Sequence, residues 1–357
     1  MKVALVGMNV DFNTAAGSGI KKYMYELYTH LAANSQIDIN KVEFTKTKIW
    51  PISRFDWLNN FISFGIKFQL YNFNDYDIVH NPDPGHPVFI HSSKYKLVTT
   101  VHDFREFFNP EVTLGDNPSF KYKVYVSLIK KSLYYALKSS DYLIARSTQT
   151  KEEAIKLGYP KNRIYISPHG LDDVFIRKKI AKKSKNKKRY VVGYIGGLTY
   201  SKNIKFAIDA IGSISDNEVI FNIFGPNRLS NDIENEISKH DKVNFMGFAP
   251  EDKKVEIYDS FNVFVFPSLY EGLGLPIREA QARGLPVIIY KYGKIPKEVR
   301  KYCFEAESPE HMAQIIEELK KNGYNEKERK KAMEYARSFT WEKIVRDTIE
   351  VYKKVLK

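Results

Sequence analysis

The run of residues 263–290 constrains the fold more than any other stretch of this chain. Val263-Phe-Val-Phe is a short, unbroken apolar segment stopped by Pro267, the pattern of a strand buried on both faces. Gly272 and Gly274 make a turn, and a helix can start at Pro276, a residue tolerated in a first turn. Gly284 stops that helix, and Pro286-Val-Ile-Ile opens a second buried strand.

The same alternation runs through the chain. Apolar strands are expected at residues 3–7, 77–80, 96–103, 141–147 and 163–172 in the first half, and at 190–198, 219–226 with its glycine exit, 243–248, 263–266 and 286–290 in the second. Helices are expected at residues 20–33, 117–140, 309–322 and 326–338, and from Thr340, an N-cap type, to the end. The 357 residues suit about two domains. Between the halves, residues 177–189 hold nine Lys or Arg and no acid, the composition of a solvated hinge. The expected fold is therefore α/β, with two Rossmann-like doubly wound domains facing a cleft. Residues 1–176 form the first domain, 190–340 the second, and 341–357 a final helix.

Two carboxylates frame the glycine turn. Glu271 precedes it, and Glu279 lies near the middle of the short helix. Glycines leave backbone N–H groups open to an anion at a helix start. A carboxylate can accept two hydrogen bonds from a vicinal diol. Phosphate plus ribose diol is the head of a nucleotide-sugar.

Tyr270-Glu-Gly-Leu-Gly-Leu-Pro-x-x-Glu279-Ala280 resembles the Glu-x7-Glu signature of the retaining, nucleotide-sugar-dependent glycosyltransferases of the GT-B fold, the group 1 glycosyltransferases. The resemblance runs over nearly the whole chain. It implies that Glu279 holds the donor ribose. Glu271, with Gly272, Leu273, Gly274 and Leu275, would hold the transferred sugar and phosphates. Gly196-Gly197-Leu198 through Lys202-Asn203 is similar to the family's Gly-Arg-Leu-x-x-x-Lys-Gly segment. Lys202 would face the donor diphosphate, while Gly197 stands where the family carries Arg. Neither Glu279 nor Lys202 is expected in a core. Gly17-Ser18-Gly19 resembles the glycine loop of the family's first domain, although as a motif it is weak and lacks the third glycine of a dinucleotide fingerprint. His102, at the end of a strand, matches a His expected near the reaction centre. His80 and His86 are weaker candidates for the same place. His169 replaces an Asn in the family's exit segment. Val243-Asn-Phe-Met-Gly247-Phe248 resembles a segment expected near the base. The final helix is expected to cross back to the first domain.

The resemblance thus implies a retaining hexosyltransferase that moves sugar from a nucleoside-diphosphate-sugar, such as a UDP- or GDP-sugar, to a glycan or lipid-linked acceptor in cell-surface polysaccharide synthesis. His102, Lys202 and Glu271 are its expected catalytic residues. No cofactor or metal is expected, since Asp75-Tyr76-Asp77 reads as a strand entry rather than an Asp-x-Asp metal motif. Two other classes remain: a nucleotide-sugar epimerase of the same architecture, and a basic nucleic-acid-binding protein, for which no motif is visible. A lone Cys303 excludes internal disulfides and cysteine metal clusters and suits a reducing cytosol. It reads as a small hydrophobe within a strand.

The net charge of +14 raises the question of an anionic surface. Two segments could meet one. Residues 49–73 are dense in aromatics, which suit either a core-facing helix or a face docked on a bilayer. Residues 117–140 carry Lys121, Lys123, Lys130, Lys131 and Lys138 without an acid, either as a solvent face or as a face on anionic membrane. With no apolar run of spanning length, the expected location is cytoplasmic, with peripheral attachment to the inner membrane face.

Overall fold

The structure is a computed structural model that describes residues 1–8, 19–44, 63, 65–84, 95–115, 118–180, 189–226 and 231–357. Gly17, His86, the centre of the basic stretch and most of the aromatic segment lie outside the described residues.

The chain divides into two units, Met1–Gly170 with Trp341–Lys357, and Leu171–Thr340. The boundary falls after Gly170 rather than after 176. The reason is packing: Leu171 and Phe175 are buried in the core of the second unit and Ile176 packs against it.

The first unit is built on six parallel strands: β1 (Lys2–Met8), β2 (Asp38–Phe44), β3 (Ile78–Asn81), β4 (Lys96–Val101), β5 (Tyr142–Ala145) and β6 (Ile164–Ile166). Their order is β2-β1-β3-β4-β5-β6. Asp77 marks the entry to β3, and its carboxylate accepts from the Lys2 amide at 2.7 Å, tying the starts of β1 and β3. The helix Gly19–Ala32 and the last helix, Trp341–Val355, bury Tyr23, Leu27, Trp341, Ile344 and Tyr352 against β1 and its neighbours. Phe68 and Phe73 of the aromatic segment are core residues, whereas Leu70 and Tyr71 are exposed. The basic segment is a single helix, Phe120–Ser139, capped by Ser119. Leu133, Ala136 and Leu137 lie on its buried face, and Phe120, Tyr122, Val124, Tyr134 and Tyr135 are exposed beside the lysines.

The second unit has β7 (Tyr190–Ile195), β8 (Val219–Phe224), β9 (Val243–Gly247), β10 (Val263–Phe266), β11 (Val287–Tyr290) and β12 (Phe304–Ala306), all parallel, in the order β12-β11-β10-β7-β8-β9. Counted within the unit this is the 3-2-1-4-5-6 order of a dinucleotide-binding sheet, and it reverses between β7 and β10. β10 is buried at every residue, as its unbroken apolar run requires. Cys303 falls in the turn before β12, not within a strand. Arg283 closes the back of this unit. It is fully buried, pairs with Asp259 through both Nε (2.8 Å) and Nη2 (2.7 Å), and donates to the carbonyl of Lys178 at 2.6 Å.

Candidate functional site

Open α/β sheets bind ligands beyond the carboxyl ends of their strands, where the strand order reverses. In the second unit that point lies between the loops leaving β7 and β10, and the two segments picked out in the sequence are those loops.

After β7 the chain passes Gly196 and Gly197 and makes a 3-10 turn, Tyr200–Lys202. Asn203 then takes a left-handed conformation (φ 49°) as N-cap of the helix Ile204–Ser213. Asn tolerates that region better than other side chains, which explains how it stands in for Gly. A Cβ at Gly197 would meet nothing within 4 Å, so no packing demands glycine there. The Tyr194 hydroxyl donates to the Gly197 carbonyl at 2.6 Å and holds the loop in place.

The loop after β10 is sewn to its neighbours by backbone bonds. Leu269 N–H donates to Ser201 O at 2.9 Å, Lys294 N–H to Leu269 O at 2.8 Å, and Glu271 N–H to Lys294 O at 2.9 Å. Gly293 permits that approach, since a Cβ would sit 2.2 Å from the Ser268 carbonyl. Gly274 is left-handed (φ 66°) and caps the helix Leu275–Ala282, whose first turn contains Pro276. A side chain at Gly274 would also crowd Ile277 and Val299 at 3.2 and 3.3 Å.

These loops bring Lys202 and Glu271 together, 69 residues apart in sequence, with Nζ to Oε1 at 2.5 Å and side chains 20% and 10% exposed. Lys202 also lies 5.5 Å from the centroid of Phe266. Tyr194 stands near this pair, its phenol pushed up first by burial and then by the charge of Glu271. Glu279 is only 1% exposed, so the expectation that it lies outside any core is corrected. Its Oε2 accepts from the Tyr258 hydroxyl at 2.7 Å and its Oε1 from Lys254 at 3.3 Å. Neither partner carried a sequence signal. Tyr258 and Lys254 lie on the helix Lys254–Ser260, and only the tertiary fold brings their side chains to Glu279.

In the first unit, His102 directly follows β4. Its Nε2 lies 2.9 Å from the Pro82 carbonyl. A carbonyl only accepts, so Nε2 carries the proton and Nδ1 is left as the acceptor. Burial, then the charge of Arg146, lowers its pKa to about 4, so the ring is neutral at physiological pH. His80 is not a lining residue. It is fully buried, 2.6 Å from the Tyr352 hydroxyl and 2.8 Å from Thr100 Oγ1, and burial lowers its pKa to about 3. His169 is buried too, with Nδ1 2.6 Å from the Gly170 carbonyl. Gly19 is the first residue of its helix, and a Cβ there would meet nothing within 4 Å.

Residues 17–175 match Glycosyltransferase Family 4, and residues 175–339 match Glycosyl transferases group 1. The chain is 25% identical over 303 residues to the O-antigen chain mannosyltransferase B of Escherichia coli, covering 80% of this chain and 76% of that one. It is 30% identical over 183 residues, 46% of each chain, to an Escherichia coli UDP-Gal:alpha-D-GlcNAc-diphosphoundecaprenol alpha-1,3-galactosyltransferase. Among solved structures, sucrose-phosphate synthase from Thermosynechococcus elongatus superposes with a TM-score of 0.74 at 18% identity, covering 99% of this chain and 98% of that one. Anabaena HepE, solved with UDP-glucose, gives 0.68 at 17% identity, covering 99% and 100%. At such identities the structures speak for the fold alone.

Proposed function

Because the chain belongs to the group 1 glycosyltransferases of the GT-B fold, we propose that it transfers a hexose with retention from a nucleoside-diphosphate-sugar to a glycan or lipid-linked acceptor. The observation that carries this reading is the cation–carboxylate pair Lys202–Glu271 at the switch point, next to a glycine-capped helix start and the buried Glu279.

The chemistry arises from those groups. As the glycosidic bond breaks, negative charge grows on the diphosphate. Lys202 and the N-terminus of the helix Leu275–Ala282 meet that charge, as preorganised dipoles and cations do. Glu279 accepts the ribose hydroxyls, and Tyr258 and Lys254 fix its orientation. Glu271 and Gly272 to Leu275 hold the sugar, and the neutral His102 offers Nδ1 as an acceptor to a sugar hydroxyl. No step requires a metal, so turnover is expected to persist in EDTA. Complete loss restored by Mn²⁺ would refute metal independence.

The acceptor is assigned to the first unit. Its basic helix, Phe120–Ser139, sets exposed aromatics beside lysines, which suits the inner leaflet of a membrane. None of the described helices is long and apolar enough to cross one. Binding to anionic but not neutral liposomes, falling steeply with salt, is the expected result. Equal binding to both, or none, removes the membrane.

A thermal-shift panel of UDP-, GDP- and ADP-sugars tests the donor, since a ligand bound only by the folded state raises Tm. In the proposed site, Glu279→Gln raises KM more than it lowers kcat, because the ribose does not change during reaction. An epimer formed from donor alone would instead indicate an epimerase.

A further inference from the structure

We infer that the strand-end face of the first unit carries a phosphate seat centred on Arg146, used by the acceptor. The inference rests on the reading that this unit holds the acceptor.

Arg146 directly follows β5 and is 1% exposed. Its Nη1 donates to the Ser167 carbonyl at 2.8 Å, and its guanidinium carbon lies 4.0 Å from the centroid of the Tyr23 ring. Among the described residues it pairs with no carboxylate, and Nη2 has no hydrogen-bond partner. The hydroxyl of Ser167, whose carbonyl accepts from Nη1, is also buried without a hydrogen-bond partner. Among the described residues, the groups around it bring no full negative charge. His80, His102 and His169 are held neutral by burial and then by Arg146 itself, and Tyr23 gives only its ring face.

Buried charges are normally paired, and a buried polar atom left unmet calls for an explanation. Here the unmet atoms are a guanidinium N–H and a neighbouring hydroxyl, at the carboxyl end of a parallel sheet, where ligands bind. That set lacks an oxyanion. Guanidinium and phosphate match in geometry and charge. Burial shuts the seat off from water in the free chain, so the anion reaches Nη2 by displacing the side chains over it. The compensated charge is what the protein gains.

The test titrates inorganic phosphate by thermal shift in a Lys202→Ala background, which removes the competing cation of the second unit. Phosphate is expected to raise Tm. Arg146→Met should weaken the effect about tenfold or more, and Arg146→Lys, which keeps the charge but not the fork, should weaken it less. Without phosphate, Arg146→Met should melt no lower than its parent, since an uncompensated buried charge has been replaced by a hydrophobe of similar shape. A phosphate effect unchanged in Arg146→Met, or absent from the parent, overturns the seat. Glucose 1-phosphate and a short-chain polyprenyl phosphate, run in parallel, separate a soluble phosphorylated acceptor from a lipid-linked one. If neither competes with inorganic phosphate, the assignment to the acceptor fails. No turnover enters the measurement, so an inactive donor panel leaves the seat standing, and a missing phosphate effect leaves the donor site standing.

Discussion

The Lys202–Glu271 pair allows a chemical role to be separated from a structural one. Lys202→Met removes the cation and keeps most of the apolar stem. Glu271, 10% exposed in the intact pair, then loses its ion-pair partner. Breaking a fully buried pair costs about 3–5 kcal/mol, and partial exposure brings this to about 1–3 kcal/mol. For a domain of this size each kcal/mol is worth roughly 2–4 °C, so Tm should fall by about 2–12 °C. Glu271→Gln in the same chain removes the stranded charge, and stability should recover by about 1–2 kcal/mol. Turnover should behave differently. Losing one electrostatic donor to a developing charge lowers kcat by about 10²–10³, and restoring the fold does not restore the cation. The assay is a double-mutant cycle read twice, by thermal denaturation and by steady-state kinetics with the donor identified in the sugar panel. If the double variant regains turnover together with stability, or if Lys202→Met alone keeps kcat within about threefold, Lys202 is only a structural partner of Glu271 and the phosphate site is misplaced.

Gly197→Arg should fold normally, because a Cβ there has open space, and should lower KM for the donor by adding a phosphate-facing cation; a KM that rises would show that the loop faces elsewhere. Gly293→Ala, by contrast, must push the Ser268 carbonyl away from 2.2 Å, so it should lose both stability and donor binding, and a variant with wild-type KM would show that the loop after β10 need not be fixed. Stability should also fall on acidification. His80, His102 and His169 have folded pKa values below the unfolded 6.5, so the unfolded chain binds more protons once pH drops under about 6.5. Glu106 opposes them: burial, then Asp103, pushes its carboxyl up to about 7, so it gains stability as pH falls toward the unfolded value. With three groups against one, stability should fall as the pH drops from 6.5 to 4.5, and a urea stability flat over that range would refute the neutral histidines.

The strands were legible because buried parallel strands are written as unbroken apolar runs, as in Val263-Phe-Val-Phe and Val287-Ile-Ile. The glycine turn and Glu279 were legible because left-handed caps and helix starts restrict residue type locally, and Gly274 and Asn203 both occupy such positions. These are local rules, with cause and effect a few residues apart. The tertiary structure decided the rest. Strand order is a long-range property, and only the order β12-β11-β10-β7-β8-β9 puts Lys202 beside Glu271 across 69 residues. Side-chain bonds across the fold, which leave no local sequence pattern, gave Glu279 its partners Tyr258 and Lys254, and burial made an expected surface carboxylate an interior one. Burial also separated three strand-end histidines that look alike in sequence. His80 is locked between Tyr352 and Thr100, and His169 is held at the Gly170 carbonyl. In His102 the bond from Nε2 to the Pro82 carbonyl leaves Nδ1 as the acceptor. Arg146 read as an ordinary strand-end residue, because the lack of a counter-charge shows only once every neighbour is in place.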